Sequence, residues 1–361
     1  MYNNYFLQLI FSLQFFFNCL TLSLAQIDPA ILKIGKAKGP FTWHFNDWLK
    51  TNKYGIYNFD SFEYGHQASF GGRQFHGEEI RKRPVIFIHG NSDGALAVGE
   101  EEWSQGWSAT IAHLLNNGYS TAELYAVTYG DRNFTNTLQR TIDCETLVRL
   151  RRFLEAVFQY TGAQKVDIIS HSMGVTLARH IIQGHGIEDL KADEDLEQCY
   201  LGPSLRHKVH TFIGIAGANY GICICSDEKL AETAPACSKK TGFWTGSGCP
   251  NAPIDECHLA SPTIGKSHCH SNGHYSTTLK RLNIPTRPKD AHFVVSIWSN
   301  ADAILGKSNF AWGRQTSLIP NSDHSAIYSN YSHYSIKWKT VEDQLEFLSN
   351  GQQSEVNEEE K

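Results

Sequence analysis

The chain has 361 residues, of which 41% are hydrophobic and 19% are charged, and its formal net charge is −5. A chain of this length can bury a large core, as one large domain or two smaller ones. The negative charge and the lack of a long Lys/Arg run argue against nucleic acid or an anionic membrane surface as the main partner.

The beginning of the chain indicates the compartment. Residues 1–25 carry no charged side chain, residues 6–24 are largely apolar, and Ser23-Leu24-Ala25 has the small residues of a cleavage site. The sequence therefore predicts a signal peptide over residues 1–25 and a secreted, extracellular protein without an integral membrane segment. A retained signal anchor is the alternative, because the apolar stretch approaches the length of a spanning helix.

Cysteine usage agrees with secretion. Besides Cys19 in the predicted signal peptide there are eight cysteines, an even number that predicts a disulfide framework without fixing its connectivity. Six of them lie within residues 223–269, which predicts a disulfide-stapled, Cys-rich insertion at about residues 219–290. Zinc bound by cysteines and histidines of residues 257–274 is the alternative, but their spacing matches no usual zinc motif. The eight are Cys144, Cys199, Cys223, Cys225, Cys237, Cys249, Cys257 and Cys269.

Four other segments are expected at the surface. The sequons at Asn133 and Asn330 can accept N-linked glycans in a secreted protein. The acidic stretch over residues 350–361 is expected to be a solvated tail. Residues 26–83 are rich in aromatic residues without a long helical period, which predicts an N-terminal extension of loops and short helices that packs over the body.

From residue 84 onward, predicted strands and helices alternate. Continuous apolar runs predict buried strands, and apolar residues at three- and four-residue spacing predict amphipathic helices. The alternation predicts βαβ units, with a mainly parallel sheet and helices on both faces. Strands are predicted at residues 84–88, 124–129, 166–169, 210–215 and 292–297, and helices at about 108–115, 143–162, 172–184 and 341–348.

The central motif is Ser170-His171-Ser172-Met173-Gly174, where a predicted strand meets a predicted helix. In a G-x-S-x-G nucleophile elbow the central Ser lies on a strained turn, and small flanking residues let strand and helix approach. Here Ser170 replaces the first glycine and is still small. The motif predicts Ser172 as a nucleophile, and a plain βα connection with a helix-capping Ser is the alternative.

A second signal is the glycine-bearing loop at residues 89–94, directly after the predicted strand at residues 84–88. Open α/β sheets bind ligands at the carboxyl ends of their strands. In hydrolases with a nucleophile elbow, a loop that begins with His-Gly at this place supplies one N–H of the oxyanion hole. An ordinary βα turn is the alternative.

The remaining candidates follow the last predicted strand. Asp302 has the position of the acid in a Ser, Asp, His order, although an Asp that caps a loop is common. His324 and His333 are both candidate bases, and their order along the chain does not separate them.

These segments together resemble the class 2 lipases, which are α/β-hydrolases that include small lidless bacterial lipases. The likeness runs from about residue 39 to residue 349, is closest in character to a secreted nematode branch, and implies an α/β-hydrolase domain over residues 26–349. The Cys-rich insertion and the aromatic N-terminal extension depart from the compact bacterial pattern, so substrate preference does not transfer. The segments that carry the resemblance are residues 85–93, 170–174, 296–302, 313–317 and 332–333.

The resemblance implies roles for individual residues. Ser172 corresponds to the nucleophile, Asp302 to the acid and His333 to the base, and the backbone N–H groups of Asn91 and Met173 to the oxyanion hole. His333 is favoured over His324 because it stands shortly before the C-terminal helix, as the base does in that family.

The resemblance also implies a function. It is hydrolysis of carboxylic esters through an acyl-enzyme, without a metal or an organic cofactor, on acylglycerols or other lipid esters, with contact to a lipid interface. A carboxylesterase for small esters and an acyltransferase are alternatives on the same triad. A lipid-binding protein of the hydrolase fold without turnover is an alternative of another class.

Overall fold

The computed structural model describes residues 37–184, 186–188, 198–246, 275–284, 286–306, 309–311 and 314–359. All of them belong to one compact unit, Lys36–Lys361. The predicted signal peptide and the histidines and cysteines of the zinc alternative lie outside the described residues.

The described elements follow the predicted alternation of strands and helices. The strands are β1 Ser69–Phe70, β2 Val85–Ile88, β3 Leu124–Val127, β4 Val166–His171, β5 Gly186–Glu188, β6 Gln198–Tyr200, β7 Val209–Ile215, β8 Phe293–Ser299, β9 Phe310–Ala311, β10 Arg314–Gln315 and β11 His324–Tyr328. The α-helices are α1 Trp43–Thr51, α2 Ser108–Asn116, α3 Cys144–Thr161, α4 Met173–Gln183, α5 Glu228–Thr233, α6 Thr277–Leu282, α7 Ile336–Lys339 and α8 Val341–Glu359.

The central sheet has seven strands in the order β1-β3-β2-β4-β7-β8-β11. Every neighbouring pair is parallel except β1 and β3, which are antiparallel. Strands β2, β3, β4 and β7 are buried along their whole length, as expected for a sheet that is covered on both faces. The predicted mainly parallel sheet is confirmed.

The helices fall into two packing groups. Helix α2 packs against α7 and α8, whereas α4 packs against α3 and α6. The chain moves from β2 outward to β3 and then back across the sheet to β4, β7 and β8. Because parallel crossovers are right-handed, this reversal places α2 on one face and α3 and α4 on the other. No helix in the described part of the chain is both long and apolar enough to cross a membrane.

Helix α3 illustrates how local sequence sets an element. The Asp143 carboxylate accepts a hydrogen bond from the Thr146 N–H at 2.8 Å and so caps the first turn. Gly162 ends the helix with a positive φ of 71°, which glycine adopts without steric cost. Between them the apolar residues at three- and four-residue spacing are buried, and they fix this helix to the sheet.

Disulfides join elements that are distant in sequence. Cys144 at the start of α3 is bonded to Cys199 in β6, and Cys225 is bonded to Cys237. Cys223 is also disulfide-bonded. The prediction of a disulfide framework is therefore supported wherever the structure describes the bonding of a cysteine.

The structure also contains short elements that were not predicted, namely β5, β6, β9, β10, α5, α6 and α7, and it differs from the prediction in three further places. Strand β1 was not predicted, and neither was β11, which begins at His324, outside every predicted strand. Helix α8 runs to Glu359, past the predicted end at residue 348 and into the segment that was expected to be a tail. Strand β11 is mostly exposed, so it has no apolar run that would reveal it, and it is held by parallel pairing with β8.

Candidate active site

Ser172 lies between β4 and α4, at the sharp turn that the motif predicts. Its φ of 54° and ψ of −127° are unusual for a residue with a side chain, and a strained backbone of this kind costs on the order of 1–3 kcal/mol. The turn is held by the Ser172 N–H, which donates to the Ile215 carbonyl at 2.8 Å, and by the Val175 N–H, which donates to the Ser172 carbonyl at 3.0 Å.

The small residues beside Ser172 allow a close approach of backbone segments. A Cβ at Gly174 would lie 2.2 Å from the carbonyl oxygen of His89, so no larger residue fits there without movement of the loop after β2. Ser170 is fully buried, and its hydroxyl lies 3.4 Å from the Ile213 carbonyl on β7. A serine therefore fits in place of the first glycine of the elbow.

The structure brings Ser172, His333 and Asp302 together in one hydrogen-bonded chain. The Nε2 atom of His333 lies 2.8 Å from the Ser172 hydroxyl, and Nδ1 lies 2.7 Å from the Asp302 carboxylate. His333 is 5% exposed and Asp302 is 1% exposed. Water is largely excluded from the His–Asp pair, which strengthens this contact.

Asp302 is held by its own backbone neighbourhood. Its Oδ1 accepts hydrogen bonds from the N–H groups of Ile304 and Leu305, both at 2.9 Å. These bonds leave the other oxygen, Oδ2, directed at His333. Asp302 thus caps the loop after β8 with one oxygen and contacts His333 with the other. A loop-capping role and a contact with the histidine therefore do not exclude each other.

His324 lies elsewhere. It is exposed, pairs with Val295 near the start of β8, and its ring contacts Phe347 at 5.0 Å between centroids. Asp302 follows the opposite, carboxyl end of β8, so His324 is at the wrong edge of the sheet to reach it. Asn330 is exposed although His333, three residues later, is buried, so the chain turns between the sequon and the site.

His171 links the elbow to the segment that carries His333. Its Nε2 lies 2.8 Å from the His333 carbonyl oxygen. Burial holds the pKa of His171 well below its usual value, and the positive charge of Lys337 contributes to a smaller extent. The ring is therefore neutral. Since only an N–H can bond to a carbonyl, Nε2 carries the proton.

Asn91, the first predicted oxyanion donor, belongs to a loop that is fixed through its side chains. The Arg140 guanidinium donates to the Asn91 side-chain oxygen at 2.7 Å and to the Ser92 hydroxyl at 2.6 Å. The side-chain nitrogen Nδ2 of Asn91 donates to the Thr137 carbonyl at 3.0 Å. The loop bends sharply at Ser92, whose φ is 67°.

Met173, the second predicted donor, is the first residue of α4. N–H groups in the first turn of a helix have no acceptor within the helix and lie at the positive end of its dipole. Such a group is well suited to stabilise a negatively charged oxygen.

His89 fixes the start of the same loop. Its Nδ1 lies 2.7 Å from the Gly90 carbonyl, its Nε2 accepts from the Tyr129 N–H at 3.0 Å, and the Tyr129 hydroxyl donates to the His89 carbonyl at 2.8 Å. Burial lowers the pKa of His89 to about 3, so the ring is neutral with the proton on Nδ1. A neutral ring satisfies both contacts, whereas a protonated ring would break the bond from Tyr129.

Several residues of this environment are not predictable from the sequence. Arg140 on Asn91, His171 on the His333 carbonyl, and a buried ion pair of Asp93 with Lys337 all depend on side chains that meet only after folding. A lysine near the C-terminus would ordinarily be assigned to the surface. The only local signal is the position of Asp93 within the glycine-bearing loop.

Among the described residues, no group of three or more His, Cys, Asp or Glu side chains is arranged to hold a metal ion.

A comparison of the sequence with protein families identifies the chain. The sequence profile of the family described as Lipase (class 2) matches residues 82–346. The chain belongs to the class 2 lipase family. This class 2 lipase has an α/β-hydrolase fold, and its family supports hydrolysis of carboxylic esters. A nematode branch is not distinguished by this match.

Solved structures with similar folds include three lipases. The mature Bacillus licheniformis lipase BlEst2 shares 15% identity over 78% of this chain and 97% of its own, with a TM-score of 0.43. The Paleococcus ferrophilus monoacylglycerol lipase shares 12% identity over 79% of this chain and 98% of its own, with a TM-score of 0.42. Aspergillus fumigatus lipase B shares 12% identity over 75% of this chain, with a TM-score of 0.43, and this chain spans about half of its length, 52%.

Proposed function

We propose that this class 2 lipase hydrolyses lipid esters, with Ser172 as nucleophile, His333 as general base and Asp302 as the acid that orients it. The observation that carries the proposal is the hydrogen-bonded chain from the Ser172 hydroxyl through both nitrogens of His333 to the Asp302 carboxylate. A nucleophile, a base in contact with it and a third group that orients the base are the parts that acyl transfer requires.

The first step is attack on the ester carbonyl. Asp302 accepts the Nδ1–H of His333, which leaves the Nε2 lone pair directed at the Ser172 hydroxyl. Nε2 takes the hydroxyl proton as Ser172 Oγ forms a bond to the carbonyl carbon, and the buried carboxylate stabilises the imidazolium that results.

The tetrahedral intermediate carries a negative oxygen, which the backbone N–H groups of Asn91 and Met173 would stabilise. Loss of one such donor typically raises the barrier by about 3–4 kcal/mol. The rigid contacts of Arg140 and His89 to this loop support the assignment, because donors that are already oriented need no reorganisation during the reaction.

Collapse of the intermediate completes the cycle. His333 Nε2 gives its proton to the leaving alkoxide, the C–O bond of the ester breaks, and Ser172 keeps the acyl group. Water then attacks the acyl-enzyme, again with His333 as base, and the free acid is released as the Ser172 hydroxyl reforms.

The substrate class and location are part of the proposal. We infer acylglycerols as substrates, and contact with a lipid interface, from the family alone, with carboxylesterase or acyltransferase activity as the second candidate. We also infer a signal peptide at residues 1–25, secretion, glycans at Asn133 and Asn330, an N-terminal extension at residues 26–83 and a Cys-rich insertion at about residues 219–290. The described disulfides are compatible with an extracellular location.

The test compares the wild type with Ser172→Ala on p-nitrophenyl esters and triacylglycerols of graded acyl length, and with a fluorophosphonate probe. We expect labelling and turnover in the wild type only, with equal folding of both proteins by circular dichroism. Higher kcat/KM on long-chain glycerides than on acetate esters would support a lipase, and the reverse would support a carboxylesterase. Labelling that persists in Ser172→Ala would place the nucleophile elsewhere.

The base is tested with a matched pair of histidine variants. His333→Ala should lower kcat by several orders of magnitude, as loss of a triad member does. His324→Ala should leave kcat within about twofold, because its ring lies on the exposed edge strand β11. A lipid-binding protein without turnover would instead give no Ser172-dependent hydrolysis in any of these proteins.

A further inference from the structure

A buried ion pair joins the two segments that carry the proposed oxyanion donor and the proposed base. The Lys337 ammonium contacts the Asp93 carboxylate, and the two side chains are only 2% and 3% exposed. Asp93 lies two residues after Asn91, and Lys337 lies four residues, about one helical turn, after His333. The sequence separation of the partners is 244 residues.

Each charged group of the pair also forms a hydrogen bond to the backbone of Gly106. Asp93 Oδ1 accepts from the Gly106 N–H at 2.9 Å, and the Lys337 ammonium donates to the Gly106 carbonyl at 3.1 Å. The ammonium also lies 5.7 Å from the ring centroid of Trp107, within the range of a cation–π contact. Both charges are therefore bound to the same fixed piece of backbone as well as to each other.

The lysine side of the pair is itself anchored. The side-chain nitrogen Nε2 of Gln344 donates to the Lys337 carbonyl at 2.7 Å. The side-chain oxygen Oε1 of the same residue accepts from the Thr110 hydroxyl on α2 at 3.1 Å. Helices α7 and α8 are thereby tied to α2, and through α7 the position of His333 is tied to the loop that carries Asn91.

Stability alone does not account for this arrangement. Burying two charges costs several kcal/mol per ion, and replacing a buried pair by apolar groups of similar volume is often neutral or stabilising. Directional bonds between charged groups can instead fix a single geometry. Catalysis depends on such a geometry, because a shift of about 1 Å can lower the rate on the order of 100-fold.

We propose that Asp93 and Lys337 are positioning residues, which fix the loop of Asn91 relative to the segment of His333 so that oxyanion donors and base act on one carbonyl group. The inference rests on the proposed function and adds to it. His171 supports the same coupling, since its Nε2–H holds the His333 carbonyl at 2.8 Å beside the elbow.

The test is the double variant Asp93→Asn/Lys337→Met, which removes both charges, keeps an acceptor for the Gly106 N–H and retains most of the buried volume. Rates are expressed per active site, counted by fluorophosphonate labelling, so that a partly unfolded sample does not imitate a loss of rate. We expect a folded protein whose kcat falls at least tenfold while KM stays within about twofold, because mutual orientation matters in the transition state and not in substrate binding.

The matched control is Arg83→Met/Asp167→Asn, which removes a second buried contact between a cationic side chain and a carboxyl group; all rates are measured at about pH 8.5, above the Asp167 pKa of about 7, so that this carboxyl group is charged. Asp167 lies five residues before Ser172, at the amino end of β4, where its carboxylate contacts Arg83 and the Thr211 N–H. We expect its kcat to stay within about twofold of the wild type. Equal losses in the two double variants would mean that any buried pair has this effect, and would overturn the proposal.

Two further outcomes are decisive. A wild-type kcat in folded Asp93→Asn/Lys337→Met would reduce the pair to a structural contact. If that variant does not fold, Lys337→Arg, which keeps the charge, should retain at least tenfold more kcat per labelled site than Lys337→Met, and equal values would overturn the proposal. A wild-type protein without Ser172-dependent hydrolysis would instead contradict the proposed function, which is a separate result.

Discussion

At the residue scale, the absence of a side chain at Gly90 sets the distance between the oxyanion loop and the elbow. A Cβ at this position would lie 2.8 Å from Nδ1 of His171 and 3.0 Å from Cβ of Ser172. Both neighbours belong to the strained turn, which has little freedom to move.

We therefore predict that Gly90→Ala lowers kcat by about 10- to 100-fold through a displaced loop, with a smaller effect on the melting temperature. Gly55→Ala is the control, because a Cβ there meets its nearest neighbours at 3.6 Å and fits. Steady-state kinetics and thermal unfolding of both variants test the prediction, which a fully active Gly90→Ala would contradict.

Arg140 is a second residue whose role depends on tertiary contacts. Its guanidinium donates to the Asn91 side chain, the Ser92 hydroxyl and the Asn133 carbonyl at 2.6 to 2.8 Å. Arg140→Met should lower kcat at least tenfold with little change in KM, since the Asn91 N–H would lose its orientation in the transition state. Exposed Arg206, changed to Met, should have no effect, and equal kcat values in the two variants would remove Arg140 from this role.

Chain order and local pattern predict Ser172 and Asp302 for the proposed triad, whereas the choice of His333 over His324 came from the resemblance to class 2 lipases. Ser172 follows a buried strand, Asp302 follows the last strand of the core, and His333 precedes the C-terminal helix. The residues that hold these groups could not be predicted in the same way. Lys337 meets Asp93 across most of the chain, and nothing in the local sequence of either residue records the other.

At the scale of elements, the predicted strands are those of the sheet interior. Strands β2, β4 and β7 are buried on both faces, which requires continuous apolar runs that can be read directly. The two strands of the central sheet that were not predicted, β1 and β11, are its two edges. Strand β1 has two residues and β11 is mostly exposed. Both strands therefore depend on pairing with a neighbouring strand more than on a pattern in their own sequence.

The two described disulfides should differ in their effect on stability. Cys144–Cys199 closes a loop with a sequence separation of 55, and Cys225–Cys237 closes one of 12. In the chain-entropy treatment, loops of these lengths contribute about 4 and about 3 kcal/mol by restricting the unfolded chain.

We predict that Cys144→Ser/Cys199→Ser lowers the free energy of unfolding more than Cys225→Ser/Cys237→Ser does. Urea unfolding of both double variants, followed by circular dichroism, measures the difference. The hydrogen bonds described for the sulfur atoms of these cysteines are to the carbonyl groups of Cys144 and Ala236 and not to the proposed triad, so kcat at a temperature well below unfolding should stay close to that of the wild type. A larger loss from the shorter loop would indicate that contacts within the Cys-rich insertion outweigh loop entropy.

At the scale of the whole molecule, buried titratable groups set how stability depends on pH. Burial raises the pKa of Asp167 to about 7, although Arg83 and the Thr211 N–H oppose the shift. Between about pH 4 and pH 7 the folded protein therefore holds a proton that the unfolded chain releases. This group makes stability fall as the pH rises through that window, and it has no further effect above it.

Buried histidines act in the opposite direction. Burial lowers the pKa of His89 and of His180 to about 3, and that of His171 far below its usual value. Between about pH 3 and pH 6.5 the unfolded chain binds protons that these folded residues do not, so stability rises with pH. Three histidines outweigh one aspartate up to about pH 7, and above that value the two opposing contributions nearly cancel. From these four groups, stability should rise from about pH 3 and level off above about pH 7.

Two variants separate these contributions. His180→Leu removes one buried imidazole that is remote from the hydrogen-bonded chain of the site, so the rise in the free energy of unfolding between pH 4 and pH 6 should become shallower by about 1.4 kcal/mol per pH unit. Asp167→Asn should make the same rise steeper by a similar amount, because an amide does not titrate. Urea unfolding at half-unit pH intervals gives both slopes. A wild-type slope that neither variant changes would mean that the unfolded chain keeps these groups in environments like those of the folded protein.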